Sequence, residues 1–205
     1  MVSKRSYGQY CGLARALDVV SGRWSLLIVR ELLEGPARYG RLQAGLPGIS
    51  TNLLSDRLRE LEESGVIRRE LDAASNSVSY ALTPWGQELR EPIAALVTWS
   101  TPLMVPGPGD DVFQSHWLVV ALESLMRAKR SEEPVAVGVE VDGTAFTVRL
   151  DESGIHVDRA EGSDTVFRAE AQVVMGLATG LLPIDLALTL GELRGDKADL
   201  AAVFG

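Results

Sequence analysis

The sequence has one cysteine, two histidines and no long apolar run. Because Cys11 is alone, an internal disulfide framework and a zinc site built on several cysteines are both excluded. His116 lacks a second His or Glu at helical spacing, and His156 lies between Ile155 and Val157 in a predicted strand, where a helical metal-binding pair does not form. No stretch reaches the roughly 18 apolar residues of a membrane span, and the first residues have no apolar core of the kind that a secretory signal needs. We therefore expect a soluble, cytoplasmic protein with no metal and no membrane partner.

Catalytic fingerprints are missing as well. The sequence contains no G-x-S-x-G, no P-loop and no dinucleotide-binding glycine pattern. Acidic residues are numerous, but no pair of them sits in an apolar context that would shift a carboxyl pKa. We expect a protein that is not an enzyme and that needs no cofactor.

Charge is distributed unevenly along the chain. The net charge is −8, but residues 1–100 have 12 basic and 11 acidic side chains, whereas residues 101–205 have 8 basic and 17 acidic ones. Phosphate contacts need lysine and arginine. The balance therefore argues against nucleic-acid binding along the whole chain and leaves it open for the first half.

Apolar spacing predicts helices followed by a β-hairpin in the first half. Helical patterns cover residues 10–20, 23–34, 38–44 and 51–64, and alternating patterns cover residues 66–71 and 78–82. Thr83 and Pro84 then begin a helix that is predicted to run to about residue 100. This order, with a Gly/Pro turn before the fourth helix, is that of a helix-turn-helix followed by a two-stranded wing.

The helix predicted over residues 51–64 has the polar outer face that DNA reading requires. Its buried side is marked by Leu54, Leu58 and Leu61. Its outer side presents Asn52, Ser55 and Arg59. Ser50 is placed to cap the helix start, from which short hydrogen-bonding groups can reach base edges in the major groove. A solvated surface helix has the same polar pattern, so the spacing alone leaves both interpretations open.

Three stretches in the first half carry a family resemblance: CGLARALDVVSGRWSLLIVRELLEGPARYGRLQAGLPGIS, TNLLSDRLRELEESGVIRRE and YALTPWGQEL. With them, residues 11–99 resemble the HxlR-type winged-helix transcriptional regulators, relatives of the MarR group. The resemblance implies a homodimer that binds palindromic, double-stranded operator DNA and represses or activates nearby genes. The helices predicted over 10–20 and 84–100 are the expected dimer-forming elements, because the second of them has an apolar surplus.

The resemblance also implies particular DNA contacts. The recognition helix would begin at Ser50, and the residues nearest DNA would be Thr51, Asn52, Ser55 and Arg57. Arg38 and Tyr39 would contact the DNA backbone.

The wing would comprise residues 66–82. Arg68 and Arg69 begin it, in a position to meet flanking phosphates. Family wings often have a basic residue at or near the tip, but residues 72–77 contain none. This departure leaves Asn76 and backbone amides as the expected contacts of the wing tip.

Cys11 has two interpretations. It falls where HxlR-type proteins commonly have an N-terminal cysteine, which in some members senses oxidants or electrophiles. A thiolate near a helix start, with Arg15 one turn on, would suit a switch through an intersubunit or mixed disulfide. A small buried residue at the dimer seam explains the same cysteine.

Trp24, on an apolar helix face, is expected in the core.

A linker and a different kind of domain follow. Residues 102–111 contain three prolines, two glycines and two aspartates, a composition typical of a linker. The elements predicted beyond it are a helix over 112–130, strands over 135–142, 145–151 and 154–159 with a further candidate at 165–168, and helices around 169–180, 184–190 and 196–204. Asp142-Gly143 is a two-residue hairpin signal. The predicted division is a DNA-binding and dimerisation domain over 1–101, a linker over 102–111 and a second domain over 112–205.

The second domain resembles the sterol-carrier-protein-like fold, in which a sheet and helices enclose an apolar tunnel. The resemblance rests on VEVDGTAFTVRLDESGIHV and DTVFRAEAQVVMGLATGLLPIDLALTLGELRGDKADLAAVF. It implies a hydrophobic small-molecule effector, with candidate wall residues Trp117, Val174, Leu177, Leu181, Leu182, Leu186 and Leu190. A plain core explains each of these residues equally well.

The sequence therefore predicts an α+β regulator, with an N-terminal winged helix-turn-helix and a C-terminal sterol-carrier-protein-like α+β domain. An effector in the second domain would change operator affinity by a population shift. Two alternatives stay open. In one, the protein senses redox state through Cys11 and its second half serves only dimerisation or protein interaction. In the other, the winged helix binds protein rather than DNA.

Overall fold

The computed structural model describes residues 6–72, 77–160 and 162–205. The chain divides into two compact units between Ile93 and Ala94. This division falls inside a helix, upstream of the linker predicted over residues 102–111. Each unit has its own elements and its own buried residues.

The first unit contains the predicted helices and hairpin. Its elements are α1 (Gly12–Val20), α2 (Ser25–Leu33), β1 (Ala37–Arg38), α3 (Tyr39–Gly45), α4 (Thr51–Glu63), β2 (Ile67–Asp72), β3 (Ser77–Leu82) and α5 (Pro84–Gln87), and α6 (Arg90–Trp99) crosses into the second unit. The three strands form an antiparallel sheet in the order β1-β3-β2, with Ile67 opposite Leu82 and Ala37 opposite Tyr80. The two-residue strand β1 was not predicted.

Side-chain caps fix two helix starts, as predicted. The Ser50 hydroxyl oxygen accepts a hydrogen bond from the backbone N–H of Leu53 at 3.3 Å, and the Thr83 hydroxyl oxygen accepts one from the N–H of Gly86 at 3.0 Å. Each cap satisfies a backbone donor that a helix start leaves without an internal partner. At the other end of α4, Gly65 has a φ of +79°, the left-handed conformation in which helices commonly end.

The buried face of α4 anchors that helix in the first unit. Leu54, Leu58 and Leu61 are at most 1% exposed. They belong to a set of fully buried side chains drawn from α2, α3, the following turn, α4 and β2: Ile28, Leu32, Leu42, Leu46, Leu54, Leu58, Leu61 and Ile67. Burying a side chain of this size stabilises a fold by about 1.5–3 kcal/mol. The inner face of α4 is therefore fixed, and its outer face is free for contacts.

The helix predicted over residues 84–100 is interrupted, and this prediction was wrong in its continuity. The structure has α5 and α6 with a turn at Glu88 and Leu89. The first turn is held against the hairpin because the N–H of Thr83 donates to the carbonyl of Val66 at 3.0 Å. Gly86 lies so close to the same carbonyl that a methyl group there would collide with it. The chain begins a new helix beyond this contact.

The second unit is an antiparallel sheet with one parallel pair and helices against one face. Beyond α6, its elements are α7 (Thr101–Met104), a 3₁₀ turn (Ser115–Trp117), α8 (Leu118–Leu125), β4 (Val135–Val141), β5 (Thr144–Asp151), β6 (Gly154–Asp158), β7 (Val166–Arg168), α9 (Ala171–Ala178), α10 (Ile184–Leu190), β8 (Glu192–Arg194) and α11 (Lys197–Phe204). The helix predicted over 112–130 is helical only from Ser115 to Leu125. In the turn that follows, the Arg130 guanidinium donates a hydrogen bond to the carbonyl of Arg127 at 2.7 Å.

The sheet has the strand order β6-β5-β4-β7-β8, and β4 and β7 are its parallel pair. Asp142 and Gly143 have φ values of +50° and +71°, as the predicted two-residue hairpin between β4 and β5 requires. Val137, Val139, Phe146, Val148 and Phe167 are fully buried on the inner face. They pack in one cluster with residues of α8, α9, α10 and α11.

Candidate nucleic-acid interface

The start of α4 presents a row of short polar side chains to solvent. Ser50, Thr51, Asn52 and Ser55 are exposed, whereas Leu54 is fully buried. A helix start has backbone N–H groups without internal partners and a partial positive charge. This arrangement suits contact with base edges and phosphate oxygens, and the exposure of Asn52 and Ser55 agrees with their predicted place on the outer side of α4.

Tyr39 links the first two turns of α4 to α3. Its hydroxyl donates a hydrogen bond to the carbonyl of Thr51 at 2.8 Å and accepts a longer one from the Ser55 hydroxyl at 3.4 Å. The ring is half-buried. Tyr39 was expected to contact the DNA backbone, and in the free protein it holds the start of the candidate recognition helix in place. Arg38, the second expected backbone contact, is exposed at the end of β1 opposite Ser79.

Arg57 lies elsewhere than the resemblance implied. Its side chain is 23% exposed and forms an ion pair with Glu60. Its guanidinium fills the space beside Gly22, where a methyl group would lie 2.8 Å from Nη1. In the described residues its Nε is buried without a hydrogen-bond partner. The reason is helical phase: at about 100° per residue, position 57 falls beside the leucine stripe and not opposite it.

The arginines of the outer face and of the wing are paired with carboxylates. Arg59 Nη2 lies 2.8 Å from Asp56, and Arg69 Nη2 lies 3.0 Å from Glu62. Arg68 pairs in the same way with Glu70 at 2.6 Å. Exposed pairs of this kind contribute only about 0–1 kcal/mol. A phosphate could therefore replace the carboxylate at little cost, but each exchange gains less than a free cation would.

The predicted wing contact at Asn76 lies outside the described residues. Among the described wing residues, Leu71 and Val78 face each other across β2 and β3 and are 67% and 45% exposed. Neither residue was predicted to belong to the site. An apolar pair therefore lies near the wing tip, on strands whose described arginines are already paired.

The segment between α1 and α2 was also not predicted to lie near the site. Trp24, expected in the core, is half-buried and has a left-handed φ of +82°. Its ring lies against the turn that precedes α4, with Cη2 3.8 Å from the position of a methyl group on Gly48. Arg23 is exposed, with Cζ 5.7 Å from the centre of the Trp24 ring. The only signal in the sequence was a tryptophan at a helix boundary.

Cys11 is exposed at the N-cap of α1. The backbone N–H groups of Ala14 and Leu13, at the start of α1, lower the pKa of its thiol. Within a single chain, the cysteine is therefore accessible and its thiolate is favoured. On the same helix, Asp18 accepts a hydrogen bond from the N–H of Tyr7 at 2.8 Å, which lowers the pKa of that carboxyl and holds the preceding segment.

The candidate wall residues of the second unit differ in burial. Val174 and Leu177 are buried in the core cluster, and Trp117 and Leu182 are half-buried. Leu181, Leu186 and Leu190 are 65%, 49% and 54% exposed. Trp117 makes edge contacts with Phe113 and His116. The structure thus splits the set between the core and the surface of this unit.

The described residues contain no group of three potential metal-binding side chains. His156 is exposed, with Nε2 2.7 Å from the Ser153 hydroxyl and 3.7 Å from Asp151. No helix among the described residues is long and apolar enough to span a membrane.

Comparison with known proteins gives matches to helix-turn-helix transcriptional regulators. Residues 19–106 match the family model of the HxlR-like helix-turn-helix. The chain is 37% identical over 93 residues to an uncharacterized HTH-type transcriptional regulator, YvaP, of Bacillus subtilis; the match covers 45% of this chain and 86% of the relative. It is 38% identical over 90 residues to another such regulator, sll1512, of Synechocystis, covering 43% and 67%. Among solved structures, the reduced form of the transcriptional regulator YodB from B. subtilis is similar at 29% identity and a TM-score of 0.43, covering 48% of this chain and 99% of YodB.

Proposed function

The chain belongs to the HxlR-like helix-turn-helix family of transcriptional regulators, and from this premise we propose that it binds palindromic operator DNA as a homodimer with α4 in the major groove. The observation that carries the proposal is the exposed polar start of α4. Its side chains project from a helix whose opposite face is buried, so the helix can enter a groove without disturbing the core.

Binding-site selection from randomised duplexes with the purified protein tests this function. We expect the recovered sequences to share a palindrome, and we expect Asn52→Ala to weaken binding to it by about tenfold or more, because a base contact contributes about 1–3 kcal/mol of discrimination. Glu63→Gln, an exposed change at the opposite end of α4, is the matched control and should not weaken binding. Failure to enrich any sequence would contradict the proposal.

The homodimer is supported by exposed apolar side chains on both predicted dimer-forming helices. Leu13 of α1 is 69% exposed, and Leu96 and Trp99 of α6 are 47% and 74% exposed. A two-fold dimer can set its recognition helices about 34 Å apart, one turn of DNA. We expect light scattering to give a dimer at micromolar concentration and Trp99→Glu to shift it towards monomer. A wild-type monomer under these conditions would rule the dimer out.

We further propose that the second unit holds a hydrophobic effector in a sterol-carrier-like arrangement. The support is that α9, with Val174 and Leu177 buried, contacts α10, and that Leu181, Leu186 and Leu190, on and just before α10, are exposed. A fluorescent fatty acid should bind, and Leu186→Glu should weaken its binding. Saturation with the fatty acid should also change operator affinity; an unchanged affinity would reduce the second unit to a dimerisation or protein-contact module.

Redox control through Cys11 is the second candidate, favoured by the exposure and the lowered pKa of its thiol. Diamide should then change operator binding of the wild type and leave Cys11→Ser unaffected. The same response in both proteins would remove this candidate.

A further inference from the structure

Arg23 differs from the other arginines described in the first unit. Most of them have a carboxylate partner: Arg15–Asp18, Arg30–Glu31, Arg41–Glu34, Arg57–Glu60, Arg59–Asp56, Arg68–Glu70 and Arg69–Glu62. In the described part of the chain, Arg23 makes no ion pair, and its contact is with the face of the Trp24 ring. A guanidinium over an aromatic ring keeps its charge and its N–H edges for another ligand.

Two contacts fix the segment of Arg23 beside the N-terminal half of α4. On one side, Gly22 leaves room for the guanidinium of Arg57, which belongs to the second turn of α4. On the other side, the Trp24 ring lies against Gly48, in the turn just before the N-cap Ser50. Arg23 lies between these two contacts in the sequence and is exposed. Its charge is therefore held next to the helix start that is to enter the groove.

The backbone at Trp24 supports a role beyond packing. A left-handed φ is costly for a bulky side chain, and such residues are concentrated at functional sites. Here this conformation lets one ring contact the turn at Gly48 and also lie under the guanidinium of Arg23. Trp24 is half-buried, so part of its ring stays accessible to the guanidinium of Arg23.

We propose that Arg23 binds a backbone phosphate of the DNA at the edge of the groove occupied by α4, and that Trp24 is the positioning residue that holds its guanidinium there. This proposal rests on the DNA binding proposed above. Because Arg23 has no carboxylate to release, its phosphate contact gains the full charge-assisted hydrogen bond. Arg59 and Arg69 must first give up Asp56 and Glu62.

Salt dependence of binding to a labelled mixed-sequence duplex tests this contact, because each phosphate contact contributes about 0.9 to the slope of log Kobs against log salt. We expect Arg23→Gln to weaken binding about tenfold at low salt and to reduce the slope by about 0.9 per bound subunit. Arg23→Lys should keep most of the slope. Arg41→Gln is the matched control: its side chain is 49% exposed and paired with Glu34, and the variant should keep the wild-type slope.

Trp24→Phe and Trp24→Leu test the positioning role. Phe retains a ring face and should keep the slope, whereas Leu should lose as much of it as Arg23→Gln does. If Trp24→Leu unfolds, the Arg23 variants alone decide.

An Arg23→Gln slope equal to the wild type, or an equal loss in Arg41→Gln, would overturn the proposal. If Asn52→Ala then still abolished preference for the selected palindrome, DNA reading by α4 would stand and the Arg23 contact alone would fall. A wild-type protein that bound neither duplex would overturn both.

Discussion

The two units of the chain both bury a large apolar core, but they differ in what they leave exposed. The first unit presents the polar start of α4 and arginines that are mostly matched to carboxylates. The second unit presents leucines on and before α10, in a half of the sequence with an acidic excess. Function in the first unit can thus be assigned from polar groups on a fixed helix. In the second unit, the candidate wall residues are split between the core and the surface, so their pattern alone does not assign a ligand site.

The largest expected effect is in the second core. Phe167 is fully buried on β7, an inner strand of the sheet, so Phe167→Ala should destabilise this unit by about 3–5 kcal/mol. Hydrogen exchange should show lost protection in β4, β5 and β7 and retained protection in α4. Leu181→Ala, at a 65% exposed position, is the control and should change stability by less than about 0.5 kcal/mol. Equal loss of protection in both units would mean that the two cores unfold together and are not independent.

Substitution of Gly86 tests how α5 packs against the hairpin of the first unit. Gly86→Ala should destabilise it by about 1–3 kcal/mol, because the added methyl group collides with the backbone carbonyl of Val66. Gly40→Ala, at an exposed position of α3 with open space around it, should be neutral or stabilising by about 0.5–1 kcal/mol. Denaturant unfolding followed by circular dichroism measures both. Similar midpoints for the two variants would argue against the described contact of α5 with the hairpin.

Removing a helix cap should lower stability by less than these changes, and by a similar amount in the two units. Ser50→Ala should cost about 1 kcal/mol by removing the acceptor for Leu53, and Ser50→Asn should retain stability. Asp196→Ala should cost a similar amount at the start of α11, where the Asp196 carboxylate accepts from the N–H of Ala198 at 2.8 Å. Thermal denaturation distinguishes these variants. A cap effect in only one unit would show that the other helix start is held by packing alone.

The smallest effect concerns Cys11. Its thiol pKa is lowered in the folded chain by the N–H groups of Ala14 and Leu13, so alkylation should rise with pH at a lower midpoint in the native protein than in urea. Because the folded chain releases this proton first, the group adds stability above the unfolded pKa and loses it as the pH falls through the folded pKa. Mass spectrometry after timed iodoacetamide treatment gives both midpoints. Coincident midpoints would contradict the lowered pKa.

Local signals in the sequence predicted local structure well. The caps at Ser50 and Thr83, the leucine stripe of α4 and the Asp142-Gly143 turn are all present in the structure. Each depends on residues close together in the chain, so spacing alone is enough to identify it. The exposed start of α4 was predicted for the same reason.

Non-local features were not predictable in the same way. The pairing of β1 with β3, the parallel pair of β4 and β7 and the edge strand β8 join segments far apart in the sequence. The break between α5 and α6 depends on a carbonyl of Val66, which no helical pattern reveals. The site shows the same limit. The family resemblance implied that Arg57 contacts DNA, although its helical phase places it beside the buried face of α4. The contact of Trp24 with Gly48 joins the turn before α2 to the turn before α4.

The position of β4 has a consequence for biosynthesis. This strand is made early in the second unit, but its buried face is covered in part by Leu200, Val203 and Phe204 of α11, which is translated last among the elements. We expect a nascent chain to keep Val137 and Val139 uncovered until α11 has left the ribosome, since long-range contacts form only when both partners are available. The sheet of the winged helix contains only β1, β2 and β3, so it can form before any strand of the second unit has been translated.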